Sequence, residues 1–91
     1  MAEIVIYTRM FCGFCTAAKS LLNKRGLEFE EIDAGMDPKR REEMVHRSGA
    51  RTFPQIFING EHVGDCEKLY ALDASGELDK LLANSSSEVA N

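Results

Sequence analysis

No apolar run in this 91-residue chain exceeds a handful of residues, which excludes a membrane-spanning helix. Its first residues, Met1-Ala2-Glu3, bring no basic segment, and the apolar run after them is too short for a secretion signal. Both absences point to a cytoplasmic protein, in a compartment where thiols stay reduced. Positive charge is not in excess either. The net charge is −4, so a nucleic-acid partner has no electrostatic basis. Soft metal ligands are scarce: there are three cysteines and two histidines, with no second CxxC and no HxxxH spacing. A structural zinc site would have to borrow Cys66, His46 or His62, so no metal site is expected on these grounds. No repeat or linker divides the chain. One domain is expected over residues 1–83, followed by a disordered tail over 84–91, where Asn84-Ser85-Ser86-Ser87 has little to bury.

What is present is arranged around Cys12-Gly13-Phe14-Cys15. Two thiols separated by two residues can close a small disulfide and open it again, which suits exchange chemistry. Upstream, Glu3-Ile4-Val5-Ile6-Tyr7-Thr8 is a β-branched apolar run of strand length. Downstream, Phe14, Ala17, Ala18, Leu21 and Leu22 recur at helical spacing, and Gly26 is a natural stop. The pair therefore falls at a strand-to-helix junction with Cys12 at the helix start. Unsatisfied backbone N–H groups and the positive end of the helix dipole favour a thiolate there. Cys15, one turn in, is expected to be more shielded and less acidic. An attacking sulfur must be ionised near neutral pH, exposed, and a good leaving group when the bond reopens. Arg9 adds positive charge nearby, and Gly13 lets a partner's backbone come close.

An apolar share of 44% against 29% charged residues is that of a globular domain with a modest core. Leu27-Glu28-Phe29-Glu30-Glu31-Ile32 reads as a second strand, parallel to the first through a right-handed crossover. Asp37-Pro38 opens a second helix that Gly49 ends, with a thin apolar stripe of Met44 and Val45. Its Lys39-Arg40-Arg41 run reads as a solvated face. Phe53-Pro54-Gln55-Ile56-Phe57-Ile58 is a third strand, Asn59-Gly60 a type I′ turn, and Glu61-His62-Val63-Gly64 the returning strand. Asp65 caps a third helix from Cys66 to about Ser75, and Leu78, Leu81 and Leu82 make a short final one. The order is βαβ, helix, hairpin, helix: an α/β sandwich around a four-stranded mixed sheet.

In chain order, Tyr7-Thr8-Arg9, Cys12-Gly13-Phe14-Cys15, Thr52-Phe53-Pro54-Gln55-Ile56-Phe57-Ile58 and Gly64-Asp65-Cys66 resemble the small dithiol glutaredoxins, over about Glu3 to Leu82. The resemblance implies a thioredoxin-like fold and a glutathione-dependent thiol–disulfide oxidoreductase, with Cys12 as nucleophile and Cys15 as resolving thiol. Glutathione would be the reducing co-substrate, and no tightly bound cofactor is needed. Pro54 would be cis and face the active site, while Phe53 offers its backbone to the glutathione cysteine in a strand-like pairing. Arg9 would meet the glycine carboxylate, with Arg51 or Gln55 sharing that role. Gly64, Asp65, Cys66 and Glu67, at the third helix's start, would hold the γ-glutamyl carboxylate. Phe14 and Thr52 complete the implied glutathione site. The implied partners are glutathione and disulfide-bearing or glutathionylated proteins, acting on a monomer.

Three stretches depart from the family pattern. Gly-Phe replaces Pro-Tyr between the cysteines, Phe53 replaces Val, and Gly64-Asp65-Cys66-Glu67-Lys68 replaces Gly-Gly-x-Asp-Asp. The first of these leaves a second function open: a [2Fe–2S] carrier dimer using Cys12 and glutathione, for which Gly13-Phe14 leaves room. Cys15, where such carriers have Ser, argues for catalysis. The absence of tryptophan sets the chain apart from thioredoxins proper. Cys66 reads as a small buried residue.

Overall fold

A computed structural model describes residues 2–90, with side-chain surroundings described through residue 83. At its centre lies β1 (Ile4–Thr8), all five residues of which are buried, as an apolar run without alternation requires. The sheet order is β2-β1-β3-β4. β2 (Glu30–Asp33) runs parallel to β1, β3 (Gln55–Ile58) antiparallel to it, and β4 (Glu61–Gly64) antiparallel to β3. This is the mixed four-stranded sheet expected from the sequence.

The pleat of β1 divides the core in two. Ile4 and Ile6 face a large apolar cluster built with α1 (Gly13–Lys24), α3 (Cys66–Ser75) and α4 (Glu77–Ala90), through Leu22, Leu69 and Leu78. Val5 and Tyr7 face a smaller one, where Met44 of α2 (Pro38–Ser48) packs on Phe57 and Ala34. Each fully buried Leu or Ile contributes roughly 1.5–3 kcal/mol, so the first face carries most of the apolar stabilisation. The second face is tied by polar contacts instead. The Tyr7 hydroxyl donates to the Glu43 carboxylate and accepts from Arg47 Nη1 at 2.9 Å, and the Arg47 guanidinium lies 4.2 Å over the Phe57 ring.

Caps and turns follow the sequence closely. Asp37 caps α2 with Pro38 in its first turn, and Gly49 closes it in the left-handed conformation. Asn59 and Gly60 have φ of 53° and 83°, as a type I′ turn demands. Two strand starts differ from expectation. β2 begins at Glu30 rather than Leu27, because the Leu27 N–H is used to close α1, donating to the Leu22 carbonyl at 3.0 Å. Leu27 and Phe29 still pack half-buried against the larger cluster. β3 begins at Gln55 rather than Phe53, since Pro54 has no N–H to give a ladder; the Phe53–Pro54 peptide is cis. The final helix extends to Ala90, beyond the short one expected to end near Leu82. The side chains of the expected tail, from residue 84, lie outside the described residues. Among the described residues no helix is long and apolar enough to cross a membrane.

Candidate active site

The chain leaves β1 at Thr8, turns through Arg9, Met10 and Phe11, and enters α1 with Cys12 as its N-cap. The Cys12 backbone is extended (φ −118°, ψ 103°), which aims the sulfur back at the first helical turn. The Cys15 N–H donates to Cys12 Sγ at 3.1 Å, and the Thr16 N–H donates to the Cys12 carbonyl at 3.1 Å. This is the arrangement of a serine or aspartate cap with sulfur in place of oxygen. Cys12 Sγ also lies 3.9 Å from the Phe53 carbonyl oxygen. The expectation of an exposed attacking sulfur needs correction: Cys12 is only 8% exposed, recessed between the helix start and the cis-proline loop.

Cys15 is the inner thiol, as expected, at 2% exposure. Burial, and then the hydrogen bond with the Cys12 sulfur, push its thiol up to about 12, against a small opposing effect from Arg9. Cys66 is buried as well, and burial together with the charges of Asp65 and Cys12 pushes its thiol up. All three cysteines are free thiols.

A groove of about 650 Å³ opens beside this helix start. Arg9 and Phe14 line it from the β1–α1 side, and Thr52, Phe53 and Pro54 from the cis-proline loop. Asp65, Cys66 and Glu67 close it at the start of α3. Most of the expected glutathione residues are thus brought together. Asp65 is itself the N-cap of α3, accepting the Lys68 N–H at 3.0 Å, which leaves the earlier N–H groups of that turn for a ligand.

Four expected residues do not border the groove. Cys12 and Cys15 line a separate depression of about 380 Å³ on the other side of the helix start, and Cys12 lies between the two. Gly64 borders a third hollow with His62 and Lys68. A Cβ at Gly64 would meet the Lys68 side chain at 3.0 Å, and its φ of +133° favours glycine. Gln55, considered for the carboxylate contact, is turned inward at 2% exposure. Its Nε2 donates to the Thr52 carbonyl at 3.0 Å and to Thr52 Oγ1 at 3.1 Å, while its Oε1 meets His62 Nε2 at 2.6 Å. It braces the cis-proline loop from behind.

One residue was missed. Arg41, read as part of a solvated run, lines the groove with Arg9 and Arg51. Its guanidinium sits 5.8 Å from the Phe53 ring centroid, with Arg9 6.0 Å from the same ring, and its Nη2 donates to the Gly35 carbonyl at 2.6 Å. The signal was available: Arg41 stands three and four residues before Met44 and Val45, on the inward face of α2.

The sheet, the helix-capping sulfur and its buried partner define a thioredoxin-like thiol–disulfide oxidoreductase. The glutaredoxin family model matches residues 4–63. Glutaredoxin 3 of Escherichia coli (strain K12) is 50% identical over 82 residues, which cover 90% of this chain and 99% of that protein. A solution structure of glutaredoxin from Brucella melitensis is 55% identical, with a TM-score of 0.79 over 90% of this chain and 89% of its own. The crystal structure of a buckwheat glutaredoxin–glutathione complex shares the fold at a TM-score of 0.82 and 24% identity, over 91% of this chain and 78% of that one. The chain belongs to the glutaredoxin family.

Proposed function

We propose that this glutaredoxin is a glutathione-dependent oxidoreductase that reduces glutathione mixed disulfides and protein disulfides through Cys12. The observation that carries the reading is the position of the Cys12 sulfur, held by the Cys15 N–H at 3.1 Å and set 3.9 Å from the Phe53 carbonyl at the groove's edge. In deglutathionylation the Cys12 thiolate attacks the glutathione sulfur of the substrate. The bond between substrate sulfur and glutathione breaks, and the substrate leaves as a thiolate that takes a proton from water. A second glutathione thiolate then attacks the glutathione sulfur on Cys12, releasing oxidised glutathione and regenerating the enzyme.

Protein disulfides use both thiols. Cys12 forms a mixed disulfide with the substrate, and Cys15, after losing its proton, attacks Cys12 and expels the second substrate thiolate. Two glutathiones reduce the resulting Cys12–Cys15 bond. The raised Cys15 thiol fits this order. Two of the causes that raise it are the hydrogen bond to the Cys12 sulfur and that sulfur's charge. Both vanish once Cys12 is bonded, so the resolving thiol ionises more easily when it is needed. Arg9, Arg41 and Arg51 line the groove and would supply positive charge for carboxylates, and the Phe53 backbone would pair with the tripeptide. Turnover of a glutathionylated peptide with glutathione as sole reductant tests the reading. Turnover with a thioredoxin reductase but not with glutathione would overturn it.

A second reading, [2Fe–2S] carriage by a dimer, has one observation in its favour: a Cβ at Gly13 would meet nothing within 4 Å, so there is open space beside the residue that follows Cys12. Among the described residues no three His, Cys, Asp or Glu side chains converge, and in this reading a cluster would draw on Cys12 of two chains. Visible absorption and dimeric mass after anaerobic purification would identify a cluster; a colourless monomer supports the enzyme.

A further inference from the structure

Behind the groove lies a hydrogen-bonded chain that the chemistry above does not use. Gln55 opens β3 on the sheet face of Tyr7 and Phe57, where packing alone would take an apolar side chain. Its Nε2 instead donates to the Thr52 carbonyl at 3.0 Å and to Thr52 Oγ1 at 3.1 Å. Turned over, the amide would set its oxygen against that carbonyl, so only this orientation satisfies both ends. Gln55 Oε1 therefore faces His62 Nε2, 2.6 Å away, and the imidazole carries a hydrogen on that nitrogen. His62 stands opposite Phe57 in the β3–β4 ladder, its ring centroid 5.2 Å from that of Phe57.

The consequence falls on the next peptide plane. The Thr52–Phe53 peptide is trans, so its carbonyl and its N–H point in opposite directions. With the Thr52 carbonyl drawn back onto Gln55, the Phe53 N–H is turned away from Gln55. Thr52 borders both the groove and the hollow of Gln55 and His62, whereas Phe53 borders the groove and not that hollow. Among the described residues the Phe53 N–H has no hydrogen-bond partner. We propose that Gln55 and His62 are positioning residues for glutathione: His62 orients the Gln55 amide, and the amide aims the free Phe53 N–H at the backbone of the tripeptide. The proposal rests on the glutathione reading and names what fixes the donor on this loop. A donor already aimed spares the ligand the ordering of the loop, so the gain lies in binding rather than in sulfur exchange.

Kinetics on a glutathionylated peptide, with glutathione as reductant, test this. Gln55→Met keeps about the same side-chain volume and removes the hydrogen bonds; KM for the peptide should rise about fivefold with kcat unchanged. His62→Phe, at an exposed position, keeps a ring beside Phe57 but has no donor, and KM should rise about twofold. His62→Gln, whose amide can donate, should return KM to the wild-type value. In Cys15→Ser protein carrying glutathione on Cys12, the Phe53 amide proton should exchange slowly with deuterated water, and adding Gln55→Met or His62→Phe should speed it. A fall in kcat at constant KM, or a lowered denaturation midpoint at wild-type KM, would make the chain purely structural and overturn the proposal. A Phe53 amide that exchanges equally fast with and without glutathione would overturn it as well. Where Gln55→Met does not fold, the two His62 variants decide by themselves. Wild-type failure to turn over the glutathionylated peptide would overturn the glutathione reading, and the positioning role with it.

Discussion

Two helices begin at the edges of one groove, and they begin the same way. α3 starts with Asp65, whose Oδ1 accepts the Lys68 N–H at 3.0 Å; α1 starts with Cys12, whose Sγ accepts the Cys15 N–H at 3.1 Å. In both, a side-chain acceptor at the N-cap takes the N–H three residues on, where the helix dipole favours negative charge. The chemistry differs in one respect. A carboxylate keeps its charge and only secures the helix, whereas a sulfur can exchange its charge for a covalent bond and recover it. A common capping geometry thus becomes a reactive one by a change of atom, and a second thiol one turn in supplies the way back.

Replacing Cys12 by Ser tests that contrast most severely. Serine is also a good cap, so stability should change by less than about 1 kcal/mol, while both thiol-exchange routes fall to the uncatalysed rate in a glutathionylated-peptide assay. Preserved turnover in Cys12→Ser would break the comparison outright. Cys15→Ser should keep deglutathionylation and lose reduction of protein disulfides, measured with the two substrates side by side. Asp65→Ala, at the other helix, should lose about 1 kcal/mol of stability and raise the KM for glutathione with little change in kcat, and Asp65→Asn should recover the stability but not the KM.

The pH dependence sharpens the same picture. Cys15, Cys66 and Tyr7 are all pushed up, each chiefly by burial. A group raised in the folded state contributes fully below its ordinary value and loses that contribution as pH climbs through the folded one. Denaturant midpoints should therefore hold through neutral pH and fall above about pH 8.5, continuing toward the Cys15 value of about 12. Cys15→Ser should flatten the fall. The smallest effect is expected at Glu31, lowered by the Thr8 hydroxyl and by Lys19. Its contribution is present above the ordinary carboxylate range and lost in acid. Glu31→Gln should cost less than about 1 kcal/mol, because the pair is well exposed to water.

The parts of the fold legible in the sequence were those decided locally. The Cys12 cap, the Asp37-Pro38 and Asp65 starts and the Asn59-Gly60 turn each depend on a few adjacent residues. The cis state of Pro54 came from resemblance, not from the residues themselves. What was misread depends on distant partners. Nothing adjacent to Gln55 says that it turns inward to His62 and Thr52. The start of β2 moved because the helix before it claimed the Leu27 N–H. Arg41 was hidden in a charged run until Phe53, twelve positions later, came beneath it.

Phe53 has a consequence for how the site meets ions in solution. The guanidinium groups of Arg9 and Arg41 stand 6.0 and 5.8 Å from its ring centroid, at a groove wall also lined by Arg51, with Asp65 and Glu67 at the far end by the start of α3. On a chain of net charge −4, that makes a local basin of positive potential in a negative surround. Under the proposed function, such a basin would raise the local concentration of a small anion such as a tripeptide with two carboxylates. The screening of that field by added salt should slow capture without altering the sulfur chemistry, since the Debye length shrinks from about 10 Å at 0.1 M to about 3 Å at 1 M.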